Sequence, residues 1–399
     1  MATKVLLNLD TQNGVRRAIF LYFFFVGLCF SSWASRIPEI KILFGMDDAA
    51  WGLMLLMIPL GQLFGMMFSG KLISSVGSNR VLVWAVIGYA LTLFGLGVSA
   101  VEWGLVAALI SFGFFGNFCN IAMNTQAVVA ENFYNRPIMA SFHGGWSMAG
   151  LTGGLIGLAM TMSGISIPVH FGAIATFAIV GSVWQYRFLQ YDALRVSAAK
   201  SEADENEADE SSATALAKPE FFLVLFGIVG FFAWATEGAV ADWSGIYMGE
   251  VVGISERFTP IGFTAYMVAM TIGRFLMDRA TARWGRRVIL CASGAAVFVG
   301  MALLTILPYA VTATIGLMIV GFGACGMIPA LYSAAGEKSK IHTGRAITLI
   351  STISFAGFLV GPPFIGYISQ MTNLRYGLTL ITIFGLLSWV MSANIKALK

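Results

Sequence analysis

Gly65-Met-Met-Phe-Ser-Gly70-Lys71-Leu-Ile-Ser74-Ser-Val-Gly77-Ser-Asn-Arg80 returns in altered form 208 residues later as Gly273-Arg274-Phe-Leu-Met-Asp278-Arg279-Ala-Thr-Ala-Arg283-Trp-Gly285-Arg286-Arg287. In both copies two glycines stand 12 residues apart where an apolar segment ends, and basic residues follow. The echo extends in both directions. Upstream, Val26-Gly27 is matched by Val229-Gly230; downstream, Ser147-Met-Ala149-Gly150 with Gly154 is matched by Ser354-Phe-Ala356-Gly357 with Gly361. A repeat running through most of both halves marks the chain as a duplication.

The duplicated halves are made of membrane-length segments. Residues are 58% hydrophobic and 11% charged, against about 25% charged in soluble domains. A hydrocarbon core of roughly 30 Å needs about 20 helical residues, and the sequence offers such runs at 17–38, 51–70, 80–100, 103–128, 138–162 and 167–189, then at 219–247, 259–279, 287–307, 311–335, 344–370 and 375–395. These runs far exceed the strands of about ten residues that build membrane barrels. The expected fold is therefore all-α, with twelve transmembrane helices in two pseudo-symmetric six-helix bundles. The first run is too long for a signal-peptide core and has no clear small-x-small cleavage site, so it reads as a retained helix.

With the amino terminus inside, 19 of the 24 Lys and Arg residues fall in inner loops and tails, which sets both termini in the cytoplasm. Cysteines placed at Ser201 and Ser255, with the native four replaced, test this. A membrane-impermeant thiol reagent added to intact cells is expected to label the Ser255 site and spare the Ser201 site.

Between the halves, residues 190–218 hold the acidic run Glu202-Ala-Asp204-Glu205-Asn-Glu207-Ala-Asp209-Glu210, too polar to bury a core and read as a cytoplasmic tether. The expected organisation is a bundle at 1–189, the linker at 190–218 and a second bundle at 219–399. Duplicated membrane bundles of this kind are the architecture of secondary transporters, which hold substrate near the bilayer midplane where the halves meet.

Several function classes fall away. No Gly-x-x-x-x-Gly-Lys-Ser/Thr loop is present to drive a pump with ATP. Cys29, Cys119, Cys291 and Cys325 are far apart inside apolar segments and read as packing residues, with neither metal spacing nor a disulfide framework. The scattered positive charges form no patch for nucleic acid. No enzyme site, metal site or cofactor is expected.

The chain resembles the major facilitator superfamily over essentially its whole length. The carriers of that resemblance are the loop motif of the type Gly-x-x-x-Asp-Arg-x-Gly-Arg-Arg, recognisable in Gly273-Arg274, Asp278-Arg279 and Gly285-Arg286-Arg287, and a first copy with Ser74 where the acid is expected. A narrower resemblance is to the fucose permease branch, through Ile37-Pro38-Glu-Ile40-Lys41, Asn120-Ile-Ala-Met-Asn124 and Pro329. It is closest to an uncharacterised group of bacterial inner-membrane carriers in that branch, through Ser32-Trp33-Ala34 with Arg36, Glu237-Gly238 with Asp242-Trp243, and Phe358-Leu-Val-Gly361-Pro362-Pro363 with Gly366-Tyr367. Acids of fucose permease-like chains align with Ala34 and Asn120, which are neutral here, so a fucose-type proton and sugar site does not transfer.

An ionisable group in mid-membrane costs roughly 2.5–3.5 kcal/mol on insertion scales and needs a reason to be there. Glu237, with Gly238 weakening the helix beside it, reads as a proton carrier or as a structural glutamate. Asn117, Asn120 and Asn124 fall at i, i+3 and i+7 and share one helix face; with His143 and Trp146 on the next helix they form the expected substrate cavity, helix glue being the competing role for the amides. His143 is the second candidate for proton coupling.

Arg36 lies about as deep as Glu237 on the pseudo-symmetric helix, so the two are expected to pair in an outer gate with Asp242. For Arg36 the alternative is snorkelling to headgroups, and for Asp242 and Trp243 an interfacial anchor. Glu131 and Glu337, 206 residues apart, precede basic inner loops and suggest an inner gate with Arg136, Asp278, Arg279 and Arg345.

The expectation is a monomeric inner-membrane transporter, a symporter or antiporter, moving a small neutral polar solute by alternating access, with protons as candidate coupling ions. Efflux of a drug or metabolite, or a receptor or scaffold that binds without transport, stays open at this level.

Overall fold

The computed structural model describes residues 9–134, 138–189, 220–339, 343–395 and 398; the acidic linker lies outside them. In the first half the helices are α1 (Leu9–Phe44), α2 (Asp48–Val76), α3 (Ser78–Val98), α4 (Glu102–Tyr134), α5 (Met139–Met162) and α6 (Ile167–Gln185). In the second they are α7 (Phe221–Glu250), α8 (261–284), α9 (286–306), α10 (Ala310–Ala324, resumed as Met327–Lys338), α11 (Thr343–Met371) and α12 (Leu374–Asn394). Eleven spans among the described residues are long and apolar enough to cross a membrane, and α5 completes the series of twelve.

Several helices outrun their apolar cores. At 36 residues, α1 is about 54 Å long at 1.5 Å per residue, so its ends project past a bilayer of roughly 30 Å. Apolar length reveals the part in hydrocarbon, not the polar turns added to it.

The duplication is visible in the backbone. Gly77 and Gly285 both adopt positive φ, at 95° and 78°, a region that other residues seldom occupy. Each turns the chain with almost no loop: α2 gives way to α3, and α8 to α9, across that one residue. At the Gly65 crossing of α2 on α4, an added Cβ would meet the Phe114 carbonyl at 2.8 Å and Asn117 Cβ at 3.1 Å. Its counterpart, Gly273 on α8, faces Phe322 and Cys325 of α10.

α10 breaks at Cys325 and Gly326. Pro329 explains the break, because it offers no N–H and its ring crowds the carbonyl four residues back, that of Cys325.

The chain forms two compact units that do not coincide with its halves. One holds Met1–Phe30, Leu60–Ala149 and Phe171–Lys218; the other holds Ser31–Pro59, Gly150–His170 and Pro219–Lys399. The second unit thus gathers one end of α1, α2 and α5 from the first half together with the second half. The reason lies in the glycine crossings described next.

Candidate functional site

Within the second unit, the end carrying the α1–α2 turn is packed shut across the two halves. A Cβ on Gly52 of α2 would lie 2.8 Å from the Pro362 carbonyl of α11, and one on Gly366 would lie 2.3 Å from the Asp48 carbonyl. The α2 and α11 backbones therefore touch. Gly245 of α7 takes the Pro38 ring of α1, and Gly150 and Gly154 of α5 take Met267 and Thr264 of α8. Three helix pairs, one member from each half, meet through glycine.

A polar knot closes the same end. The Lys41 Nζ donates to Asp48 Oδ1 at 2.5 Å and to Glu250 Oε1 at 2.6 Å, and the Ser369 hydroxyl donates to Asp48 Oδ2. This ties α1, α2, α7 and α11 together. Lys41 is buried while Glu250 is largely exposed, so the Asp48 arm carries more of the energy. A pocket opens beside the knot, lined by Pro38, Lys41, Gly245, Glu250, Arg257 and Thr259.

Arg36 does not reach Glu237. Its guanidinium bridges Glu39 at 2.7 and 2.5 Å, donates through Nε to His170 Nδ1 at 3.1 Å, and donates to the Ile165 carbonyl at 2.6 Å. Three acceptors within one turn or across the α5–α6 loop satisfy it, so it is neither paired with α7 nor snorkelling. Asp242 and Trp243 are not interfacial anchors; both are buried, Trp243 completely. Equal depth along two helices fixed neither side chain's direction.

Glu237 instead belongs to a polar group inside the second half. The charge acting on it is that of Arg274 on α8, and Tyr266 and Tyr332 lie within electrostatic reach. The Tyr332 hydroxyl meets Ser351 Oγ of α11 at 2.8 Å, whereas the buried Tyr266 hydroxyl has no hydrogen-bond partner among the described residues. Trp234, one turn before Glu237, makes edge contacts with Phe355 and Phe358 of α11.

In the first unit, α1 and α5 cross at Gly27, where a Cβ would meet Ala149 at 2.8 Å. Phe23 packs edge-on to His143 and Phe30 stacks on Trp146. On α4, Asn124 Nδ2 donates to Asn120 Oδ1 at 2.9 Å. The three asparagines part company: Asn117 is buried against Gly65, whereas Asn120 is exposed. Asn117 thus packs at the α2–α4 crossing, its Oδ1 buried without a hydrogen-bond partner among the described residues.

At the opposite end, Glu337 is bridged by Arg286, so the repeated motif itself supplies its partner. Arg279 is exposed. The side chains of Glu131, Asp278 and Arg345, and the whole of Arg136, lie outside the described residues.

Sequence reasoning missed Lys41, Asp48 and Ser369. One signal was available: Lys41 and Asp48 flank the short α1–α2 turn, where a facing pair of opposite charges would be expected to meet.

The sequence pattern of the Major Facilitator Superfamily matches residues 243–395. An uncharacterized MFS-type transporter of Yersinia pestis is 29% identical over 376 residues, 94% of each chain. The fold is similar to that of the nucleoside transporter NupG in a mutant form, with TM-score 0.74 and 12% identity over 97% of this chain and all of that one. It is also similar to a bacterial homologue of the human lysosomal transporter Spinster, crystallised inward-facing and unoccupied, with TM-score 0.71 and 13% identity over 98% of both chains. Duplicated helices, glycine crossings and these likenesses agree: the chain is similar in fold and sequence to multi-pass membrane transporters of the major facilitator type.

Proposed function

We propose that the chain moves a small neutral polar solute across the bacterial inner membrane by alternating access, as a monomer, with both termini in the cytoplasm and protons as coupling ions. Two six-helix bundles, residues 1–189 and 219–399, rock about the substrate. The observation that carries this reading is the closure of the α1–α2 end, which the proposed orientation makes the periplasmic end. Its contacts are glycine crossings and a polar knot that water can replace. Such a contact opens at small cost, unlike an apolar core.

The composition of the interior supports the solute class. Amides exposed mid-helix, as at Asn120, suit a water-filled path rather than lipid. His143 and Trp146 accompany them in the first unit; within the second unit, the Tyr332–Ser351 pair offers hydroxyls, and Glu237 and Arg274 carry opposite formal charges within electrostatic reach of each other. Glu237 is the proposed proton carrier and His143 the competing site.

The test is counterflow in liposomes, after a thermal-shift panel of sugars, nucleosides, amino acids and antibiotics has supplied a ligand. Exchange of a stabilising neutral solute is the expected result; binding without exchange marks a receptor and ends the transport reading. Removing the knot adds a second check. Lys41→Ala strips Asp48 of its cation and is expected to favour the open periplasmic end by about 1–3 kcal/mol, or about 5- to 150-fold. The readout is faster labelling of a cysteine at Asn120 by reagents added outside.

A further inference from the structure

From Gly238 to Met248 every residue of α7 is buried, and Asp242 stands in the middle of that stretch at 7% exposure. Its surroundings explain the burial. Gly245, three residues on and therefore on the same face, lies against Pro38 of α1, and Gly238 lies against Phe358 of α11. An ionised carboxylate in such a place needs a cation or several donors. Among the described residues Asp242 has no hydrogen bond and no ion pair.

The charged groups of the elements around it are committed elsewhere. On α1, Arg36 is held by Glu39, His170 of α6 and the Ile165 carbonyl, and Lys41 by Asp48 of α2 and Glu250 of α7. Arg274 of α8 acts on Glu237, five residues earlier on α7. Arg375 of α12 donates to the Thr305 and Ile306 carbonyls, and the Phe358 ring of α11 packs at Gly238, one turn from Asp242. The neighbouring Trp243 Nε1 and Ser244 Oγ are likewise buried without partners among the described residues. Among the described residues, no cation or donor is bonded to the Asp242 carboxylate.

We infer that Asp242 is a proton-binding site of the gate itself, occupied as the neutral acid when the α1–α2 end is shut and emptied when that end opens to water. Closing takes up one proton from the water on that side, COO⁻ plus H⁺ giving COOH; opening returns it. The site is separate from Glu237, which has the Arg274 charge within electrostatic reach. Only the naming of that water as periplasmic rests on the proposed function.

One proton bound per closing makes the closed-to-open ratio change by up to about tenfold per pH unit, rising as pH falls. Spin labels at Leu43 and Met371, exposed on α1 and α11, report the opening in the full chain with Cys29, Cys119, Cys291 and Cys325 replaced. The short-distance population is expected to grow as pH is lowered from 9 to 5. In Asp242→Asn, and in the apolar Asp242→Leu should the amide fold poorly, it is expected to stay high at every pH.

A pH dependence retained in either variant overturns the inference. So does its absence in the parent, or its loss in Glu237→Gln but not in Asp242→Asn. Failure of counterflow with the pH response intact would sink the transport reading and leave Asp242 in place.

Discussion

Gly366→Val is expected to lower transport by about 10- to 100-fold without unfolding the protein. The added Cβ would sit 2.3 Å from the Asp48 carbonyl, a main-chain atom of α2 that cannot swing aside, so α2 and α11 must separate for the substitution to fit. Overpacking of this kind costs roughly 1–3 kcal/mol, and here the penalty falls only on the closed end. Relief by opening leaves the helices intact. Gly366→Ala is the milder companion, since alanine stabilises a helix by about 1 kcal/mol over glycine. Thermal unfolding together with counterflow separates the two effects. A Gly366→Val protein that transports normally would show that the two helices need not touch during the cycle.

The second large effect is expected at Glu237. Glu237→Gln keeps the shape of the side chain and removes its proton chemistry, so accumulation driven by a pH gradient should vanish while substrate exchange persists. Exchange needs no net proton release. His143→Gln serves as the comparison, and is expected to leave accumulation within about threefold of the parent, because a neutral hydrogen-bonding role survives the change. Accumulation at the parental level in Glu237→Gln assigns the coupling elsewhere, with Asp242 as the next group to test. The two readouts differ in kind: Glu237 is tested by flux against a gradient, Asp242 by a distance measured without substrate.

Much of the architecture was legible because the bilayer sets a length that sequence must meet. Spans such as 80–100 and 375–395 lie within two residues of α3 and α12 at each end. The repeat was equally legible: Gly77 and Gly285 hold the same unusual backbone because the same sharp turn is needed twice.

The polar contacts between the two halves were not legible. Lys41 finds Glu250 across 209 residues and Ser369 reaches Asp48 across 321, and no periodicity reports such meetings. Arg36 was misjudged for a different reason. Depth along a helix was used where direction around it mattered, although Glu39 at i+3 was already placed to meet it. Asp242 was misplaced because an acid near a helix end is ordinarily wet, whereas α1 covers α7 there through Pro38 and Gly245. The spacing of the α4 amides puts them on one helical face, but a face is wide enough to put Asn117 under Gly65 and Asn120 in the open.

The pocket beside the Lys41 knot has a pharmacological consequence. Its walls come from α1, α7 and the α7–α8 turn, surfaces that the proposed alternating access would part when the knot opens. On that proposal, a compound that fits there would bridge both walls and select the shut conformer. At a free concentration 100 times its dissociation constant it would stabilise that conformer by about 2.7 kcal/mol. Such a compound need not resemble the solute, and saturating solute would not displace it. Inhibition would then be noncompetitive, arising from arrest of the carrier rather than occupancy of its cargo site.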